Sequence, residues 1–471
     1  MSSTGYSRSL EGGARPPAAS TGSVAAARAP GPRGSLVMGH FLEFERDALG
    51  FLERCHRDHG DVVRFRFALT PSVLLAHPDH VRHVLQDRHT LYDKNTLDWK
   101  MLRPVLGQTL LTTDGESWLS RRRTMQPAFH RERIAGFVRL MVEQTESMLE
   151  RWERVAHEGE TVDAALEMNR VALDIITRAL FGAVVDRDAE SISKAVTAIN
   201  RSFIEESMTP RGLILLALRR PTRSARRALV PLHELVNGFI RDRRSAADPG
   251  EDLLAMLLAV RDEETGEGLD DRTLRNELLT LFVAGHETTA NALAWTFHLL
   301  AKHDDVRERL EAEVDSVLGG RAATLEDLAE LRCTRMVIDE AMRLYPPAWA
   351  TSRAALEDDE IGGFKVAKGT LVMLSPWLTH RHRDFWPEPE RFDPERFAAG
   401  AAERPRFAYY PFGGGPHLCI GNSFSLQEMV VVLATVTQRF RVSPVDDRPV
   451  IPEPMITLRP RGGLPMRLHR R

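Results

Sequence analysis

The 471-residue chain has only three cysteines, Cys55, Cys333 and Cys419, and they lie far apart in the sequence. This number and spacing argue against a disulfide framework, and without a C-x-x-C pair the usual structural zinc motif is absent too. The chain also lacks a large excess of either charge, since its formal net charge is -3. A duplex-binding protein needs a strong basic excess, so no nucleic-acid partner is expected.

Long hydrophobic runs are missing as well. The longest, such as Leu213 to Leu218, fall far below the roughly 20 residues that a bilayer-spanning helix needs, so no transmembrane anchor is expected. Residues 1–28 are rich in Ser, Gly, Ala and Pro and lack the apolar core of a secretory signal. We therefore expect a disordered N-terminal tail and, with the cysteines free, a reducing and cytoplasmic location.

The composition that is present, 43% hydrophobic and 27% charged, is typical of a globular protein. Apolar residues recur with helical spacing over most of the stretch from Ala135 to Lys302. Asp271 to His303 keeps this pattern for roughly 33 residues, or about 50 Å, so this helix is expected to cross the molecule. Short β-type runs at Val62–Phe67 and Val73–Ala76 predict a small sheet. The fold class predicted is mainly α with small β-sheets, in one domain covering 29–471. Further helices are predicted at Phe41–His56, Val306–Leu318, Met336–Tyr345 and Asn422–Phe440.

The most specific motif is the glycine-rich stretch from Phe412 to Gly421, which contains Cys419 just before a predicted helix. Glycines allow backbone to lie flat against a planar ligand. The start of a helix stabilises a thiolate, so this placement predicts a lowered thiol pKa for Cys419. The alternative is a glycine-rich turn with a buried structural cysteine, and this is the interpretation that we give to Cys55 and Cys333.

A second polar motif, residues 284–289, lies midway along the long predicted helix among apolar neighbours. Burying polar groups among apolar neighbours costs free energy, so their presence there indicates a functional role. The Thr288 hydroxyl can donate to the carbonyl oxygen of Ala284, which would loosen the helix and open a groove beside Gly285. The alternative is an ordinary helix start or turn. Two other members of the motif are interpreted as structural: His286 and Thr289.

Together these motifs resemble those of the cytochrome P450 family. Residues 412–421 match its F-x-x-G-x-x-x-C-x-G loop, and residues 284–289 match its oxygen-activation motif. The resemblance implies a haem-thiolate enzyme with heme b as cofactor, a long helix crossing over the haem, and Cys419 as the axial ligand to iron. It assigns Thr288 to oxygen activation and Glu287 to proton relay. Further residues that it places at the cofactor are Phe412, on the ligand side of the haem, with Gly413, Gly421 and Ala284.

Other matches extend the resemblance along the chain. Glu340-Ala341-Met342-Arg343 is similar to the family's E-x-x-R, and a P-E-R-F containing Arg396 follows it. The resemblance implies a buried network of Glu340, Arg343 and Arg396 that holds the cysteine loop, although most such pairs are surface salt bridges. Haem carries two propionates, which need cationic or hydrogen-bonding partners. The family's positions for these partners match Trp118, Arg122, Arg353 and His417.

The resemblance implies a monooxygenase that uses dioxygen and takes electrons from a ferredoxin or flavodoxin with an NAD(P)H-dependent reductase. A monomer is expected. Arg121 and Arg123 are predicted to point to solvent, either as an ordinary charged face or as a docking patch for an acidic electron carrier. The alternatives are a peroxide-dependent peroxygenase, against which Glu287 and Thr288 argue, and a non-catalytic haem sensor.

The segments that contact substrate in the family are largely apolar here, so an apolar small molecule is expected. Its class stays open between terpenoids, fatty acids, steroids and polyketides. The residues predicted to line the substrate pocket are Leu97, Trp99, Leu110, Phe203 and Trp349.

Overall fold

The computed structural model describes residues 27–182, 223–247, 250–262 and 266–471, with the side chains of 223–228 and 231 excepted. The predicted N-terminal tail lies outside the described residues, apart from its last two. Of these, Ala27 exchanges backbone hydrogen bonds with Gly363 and Lys365 at 3.3 and 3.0 Å. The backbone at Ala27, two residues before the predicted boundary at residue 29, is therefore already paired with the rest of the fold.

The helices are α1 (Phe41–Arg46), α2 (Ala48–His59), α3 (Pro78–Arg82), α4 (Leu97–Leu106), α5 (Gly115–Met125), α6 (Arg131–Ala135), α7 (Val138–Glu158), α8 (Ala164–Phe181), α9 (Arg223–Ser245), α10 (Leu253–Ala259), α11 (Asp271–Leu300), α12 (Asp304–Leu318), α13 (Arg332–Leu344), α14 (Pro376–Thr379) and α15 (Asn422–Arg439). The strands are β1 (Val62–Phe67), β2 (Thr70–Leu75), β3 (Tyr92–Asp93), β4 (Thr161–Asp163), β5 (Thr351–Ala355), β6 (Asp359–Ile361), β7 (Phe364–Val366), β8 (Leu371–Leu374), β9 (Phe440–Pro444), β10 (Pro452–Pro454), β11 (Leu458–Pro460) and β12 (Pro465–Arg470).

The long helix α11 runs for 30 residues, or about 45 Å, through the body of the protein. The Asp270 side chain caps its start by accepting the backbone N–H groups of Arg272 and Thr273. Helix α8 packs along it, and α13 and α15 pack against other parts of it. Because neighbours surround it, nearly every residue from Thr289 to Leu300 is buried. This helical body contains the larger hydrophobic core.

A five-stranded sheet lies beside the helical body, in the order β1-β2-β8-β5-β3. Its strands pair antiparallel except for β2 and β8, which run parallel. A three-stranded sheet, β4-β12-β9, and two hairpins, β10-β11 and β6-β7, complete the strands among the described residues. The mainly α fold with small sheets is confirmed. Among the described helices, none is both long and apolar enough to cross a membrane.

Two sequence predictions about local structure need correction. The helix predicted over Phe41–His56 is two helices, because Asp47 stops α1 and its side chain accepts the Gly50 N–H to cap α2. The long helix ends at Leu300 rather than His303, since the chain turns there into the start of α12.

Candidate active site

The glycine-rich cysteine loop, residues 412–421, folds back on itself in front of α15. The Cys419 N–H donates to the carbonyl oxygen of Phe412 at 3.0 Å. Gly415 has a φ of +64°, in the region that glycine adopts most readily. A Cβ at Gly415 would also lie 1.8 Å from the carbonyl oxygen of Leu85. Glycine is therefore required for the loop to pack against the turn at residues 83–87, and this packing fixes the position of Cys419.

Cys419 differs from the other two cysteines in having an exposed side chain. Burial raises the pKa of the Cys55 thiol to about 12 and of the Cys333 thiol to about 11, which makes both unreactive at neutral pH. The pKa of Cys419 is also raised, because loss of hydration outweighs the Gly421 N–H and the nearby Arg122, which both lower it. The prediction of a lowered pKa is thus wrong in its net direction, although the predicted contact with a backbone amide near the helix start is present at Gly421.

The polar segment of α11 is tied to the helix that follows the cysteine loop. The Thr288 hydroxyl donates to the Ala284 carbonyl oxygen at 2.8 Å, and the Thr289 hydroxyl donates to that of Gly285 at 2.9 Å. The Thr289 and Ser425 hydroxyl oxygens are 2.9 Å apart. Ala284 is exposed although it lies in the middle of a largely buried helix. The segment therefore presents an open surface while it stays joined to α15.

Glu287 is held by the hairpin near the C-terminus. Its Oε1 accepts the Thr457 hydroxyl at 2.8 Å, and the Asn291 side-chain amide donates to that same hydroxyl oxygen at 3.0 Å. Asn291 lies one turn after Glu287 on α11, so the two side chains share a face. No short-range pattern in the sequence connects Thr457 to the long helix, so its role could not be predicted.

The side chains of the W-x-x-x-R pair on α5 both reach the cysteine loop. The Arg122 guanidinium donates to the Leu418 carbonyl oxygen at 2.8 Å. The Trp118 ring lies 4.0 Å from the His417 ring, centroid to centroid. Burial and nearby cations lower the pKa of His417 to about 2, so its imidazole is neutral.

Two buried cations lie close to His417. Arg353 on β5 donates to the Ser352 carbonyl oxygen at 2.7 Å, and its guanidinium lies 5.9 Å from the Trp99 ring centroid. Lys94 is also buried, and burial followed by the charge of Arg353 lowers its pKa to about 7. Such a group of buried cations favours an anionic ligand. Lys94 belongs to no recognisable motif, so the sequence analysis did not find it.

The network predicted around Glu340 is present. Arg343 donates from Nε and Nη2 to the two carboxylate oxygens of Glu340 at 2.7 and 2.9 Å, and both side chains are fully buried. The Arg396 Nε lies 3.4 Å from Glu340 Oε1. The surface-bridge alternative is wrong for this group, since none of its charged groups is in free contact with water.

His380 connects this network to the cysteine loop, and the sequence analysis missed it. Its carbonyl oxygen accepts from Arg343 Nη1 at 2.9 Å, and its Nε2 accepts the Tyr410 N–H at 2.9 Å. The Tyr410 carbonyl oxygen in turn accepts the Gly413 N–H. Burial lowers the pKa of His380 well below its ordinary value, which fits a neutral ring that accepts a hydrogen bond.

The prediction that Arg121 and Arg123 point to solvent is wrong for Arg121. Its Nη1 lies 3.6 Å from the buried carboxylate of Glu277, and only 16% of the Arg121 side chain is exposed. Arg123 is partly exposed, at 35% of its side chain, with Nε 3.8 Å from the buried carboxylate of Asp262. Because a buried acid holds Arg121 inward, the two arginines do not form one solvent-facing patch.

The predicted substrate residues do not form one group. Leu110 is buried, Leu97 is exposed, and the Trp99 Nε1 donates to the Ser352 carbonyl oxygen at 3.1 Å. Trp349 belongs to the core beside the five-stranded sheet, where it stacks on Phe44 and donates to Met455, so a pocket role does not fit it. Phe203, like Leu213 and Ile214, lies outside the described residues.

The fold and the loop define a class of proteins: mainly α, with one cysteine presented by a glycine-rich loop and a long helix beside it. The Cytochrome P450 family model matches residues 29–465. The chain is 37% identical to cyclooctat-9-en-7-ol 5-monooxygenase of Streptomyces melanosporofaciens, over 87% of this chain and 88% of that protein. It is 34% identical to cyclooctatin synthase of the same organism, over 91% of this chain and 92% of that protein. It is 32% identical to pentalenene oxygenase of Streptomyces avermitilis, over 90% and 93%.

A solved structure agrees with these matches. The crystal structure of cytochrome P450DA heme domain superposes with a TM-score of 0.85 at 28% identity, covering 95% of this chain and 98% of that one. The chain belongs to the cytochrome P450 family. It is an oxidoreductase of the monooxygenase type, and its family implies a haem cofactor.

The residues described above fit a haem. The exposed Cys419 thiol is a suitable ligand for iron. His417 Nδ1 is buried and has no hydrogen-bond partner among the described residues, so it can donate to or accept from a bound group. Lys94, Arg122 and Arg353 bring positive charge that two propionates would neutralise.

Proposed function

We propose that the chain is a haem-thiolate monooxygenase that inserts one atom of dioxygen into an apolar terpenoid in the cytoplasm. Heme b is held through Cys419, and electrons come from a separate ferredoxin or flavodoxin with its NAD(P)H-dependent reductase. The observation that carries this proposal is the exposed Cys419 thiol on a fixed loop, joined through Ser425 to the polar segment of α11.

A haem bound at Cys419 would supply the activation of dioxygen and the cleavage of its O–O bond. Glu287 relays the protons, and Thr288 orders the hydrogen bonds through which they pass. The Thr288 hydroxyl donates to Ala284, which leaves its oxygen lone pairs free to accept a further hydrogen bond and orders the groups on the exposed side of α11. Glu287 accepts from Thr457 and is the acid nearest in sequence to Thr288, so it takes the role of proton donor and acceptor.

The cations near the cysteine loop would hold the haem propionates. Arg122 and Arg353 can each present paired N–H groups to a carboxylate, whereas Lys94 acts as a point charge. Trp118 stacks against His417 and so limits the positions that this imidazole can take. The Glu340–Arg343 pair acts on the haem site indirectly. Arg343 binds His380, and His380 binds Tyr410 just before the cysteine loop.

We propose terpenoids, rather than fatty acids, steroids or polyketides, as the substrate class. Three relatives carry names that refer to terpenoid products or substrates, cyclooctat-9-en-7-ol, cyclooctatin and pentalenene. The apolar residues near α11, with Leu110 among them, are compatible with a compact hydrocarbon.

The carbon monoxide spectrum of the reduced protein tests the ligand. We expect the red-shifted Soret band of thiolate haem in the wild type and in Cys55→Ser, and its loss in Cys419→Ser, because a neutral hydroxyl cannot replace thiolate donation. A red-shifted band in Cys419→Ser would falsify the ligand assignment.

Spectral titration tests the substrate class. Purified enzyme is titrated with cyclooctat-9-en-7-ol, pentalenene, a fatty acid and a steroid, and the low-to-high-spin shift is measured for each. We expect saturable shifts with the two terpenoids only. Turnover with a surrogate ferredoxin and reductase, compared with peroxide alone, then tests the electron source; equal turnover with peroxide alone would contradict the proposal.

A further inference from the structure

Glu277 is a fully buried carboxylate on α11 that the proposed reaction does not use. Both of its oxygens accept the backbone N–H of Leu110, at 2.9 and 3.1 Å. Arg121 lies 3.6 Å away as its charged neighbour. Burial of a carboxylate is costly unless it is well paired and hydrogen-bonded. Within the described part of the chain, the direct hydrogen bonds of Glu277 go to a single loop amide, which points to a specific role for that loop.

The backbone carbonyl of the same residue, in the next peptide group, is held by a buried cation. Lys94 Nζ donates to the carbonyl oxygens of Leu110, Leu111 and Thr113 at 3.4, 2.9 and 3.3 Å. Leu110 thus has its N–H bound to Glu277 and its C=O bound to Lys94. The loop is therefore anchored from both sides by side chains that are themselves buried.

The Gly107–Thr113 loop that carries Leu110 is also braced internally. The Thr112 hydroxyl donates to the Gly107 carbonyl oxygen at 2.7 Å and accepts the Thr109 N–H at 3.0 Å. Gly107 has a φ of +77°, and a Cβ there would lie 2.6 Å from Asn276 Nδ2. The loop therefore packs directly against α11, and its internal hydrogen bonds connect its residues, so that an anchor at Leu110 helps to position all of it.

Glu277 lies on the same face of α11 as the residues of the proposed active site. Glu277 precedes Ala284 by seven residues, which is close to two full helical turns and about 10 Å along the axis. Thr288 follows one turn later on the same face. Glu277 therefore places Leu110 at the edge of the surface on which Ala284 and Thr288 lie.

We propose that Glu277 is a positioning residue for substrate selectivity, which clamps the Leu110 amide and so holds the Gly107–Thr113 loop at the substrate side of α11. This inference rests on the proposed function for the step from loop position to selectivity. The clamp itself does not depend on that step, and the two can be measured separately.

Hydrogen exchange of the haem-loaded enzyme tests the clamp without any substrate. In Glu277→Ala we expect the Leu110 amide to exchange at least about tenfold faster, because it loses its buried hydrogen-bond acceptor. Glu277→Gln keeps one acceptor oxygen and should give a smaller increase. The matched control is Glu311→Ala, which removes a buried carboxylate on α12 that binds Arg441 on β9. Unchanged exchange at Leu110 in Glu277→Ala would overturn the proposal.

Spectral titration and product analysis test the consequence, with pentalenene and cyclooctat-9-en-7-ol as probes. For whichever probe the wild type binds, we expect Glu277→Ala to raise KM and Kd by about tenfold, to change kcat less, and to yield additional oxidation products. Glu277→Gln should recover part of the loss, and Glu311→Ala should match the wild type. If the wild type binds neither probe, the proposed function fails while the exchange result still decides the clamp. Wild-type selectivity together with fast exchange in Glu277→Ala would overturn the inference alone.

Discussion

The Thr289 hydroxyl accepts a hydrogen bond from the Ser425 hydroxyl across 2.9 Å, since its own proton is donated to the Gly285 carbonyl oxygen. Ser425 lies six residues after Cys419, so this bond joins the middle of α11 to the helix that follows the cysteine loop. A side-chain hydrogen bond, in addition to packing, thus sets the distance between the two parts of the active site.

The first prediction concerns this bond. Ser425→Ala is expected to lower the free energy of unfolding by about 1 kcal/mol, because one buried hydrogen bond is lost. Thr289→Val should cost a similar amount, and the double variant should cost less than the two added together. Denaturant unfolding of the four proteins measures the coupling, with Ser443→Ala as the exposed control. Strictly additive effects would show that the two hydroxyl groups do not interact.

The second prediction concerns Thr288. We expect Thr288→Ala to bind haem and substrate as the wild type does, but to form less product for each NAD(P)H consumed and to release more peroxide. The physical reason is the loss of the hydroxyl that orders proton delivery on the exposed face of α11. Thr288→Ser keeps the hydroxyl and should stay near the wild-type ratio. The assignment of Thr288 fails if the ratio of product to NAD(P)H is unchanged in Thr288→Ala.

The third prediction concerns the buried network. Glu340→Gln leaves the fully buried Arg343 without its carboxylate, which should cost about 3–5 kcal/mol of stability. Haem should also dissociate faster, because His380 and the cysteine loop lose support. The control is Glu388→Gln, which removes an exposed pair with Arg391 and should change stability by at most about 1 kcal/mol. Equal stabilities for the two variants would contradict the structural role.

The sequence predicted the parts of the fold that rest on local patterns. The apolar spacing of α11 gave its start at Asp271 and nearly its end, and the cysteine loop could be found because its glycines are required for close packing. The back-bond from Thr288 to Ala284 also follows from helix geometry alone. These features depend on residues that are neighbours in the chain.

The remaining features depend on residues that are distant in sequence. Arg121 and Arg123 look like a charged surface until Glu277 and Asp262 are brought beside them by the fold. Loss of hydration around the Cys419 thiol likewise cannot be read from neighbouring residues in the sequence, and it reversed the predicted direction of the pKa shift. His380, Lys94 and Ser425 were missed for the same reason, since each acts through partners that only the folded chain assembles.

The fourth prediction concerns the pH dependence of stability that Glu277 confers. Burial raises the pKa of Glu277 to about 7 in the folded protein, above the ordinary value of 4.5, even though the Leu110 N–H, Arg121 on α5 and Lys94 before α4 all act to lower it. Between pH 4.5 and 7 the folded protein therefore holds a proton that the unfolded chain has released. The contribution of this group is full below pH 4.5 and is lost as the pH rises through about 7.

The free energy of unfolding should accordingly change with pH at different slopes in the wild type and in Glu277→Gln. From pH 4.5 to 7 the free energy of unfolding of the wild type should fall relative to that of Glu277→Gln, by at most about 3 kcal/mol, and the difference should level off above pH 7. The comparison removes groups that titrate alike in both proteins, and Lys94, whose pKa is lowered to about 7, is the group whose titration can differ between them. Lys94→Met in both backgrounds removes that contribution. Denaturant unfolding across this pH range measures the slopes, and parallel curves would show that Glu277 is already ionised throughout the range.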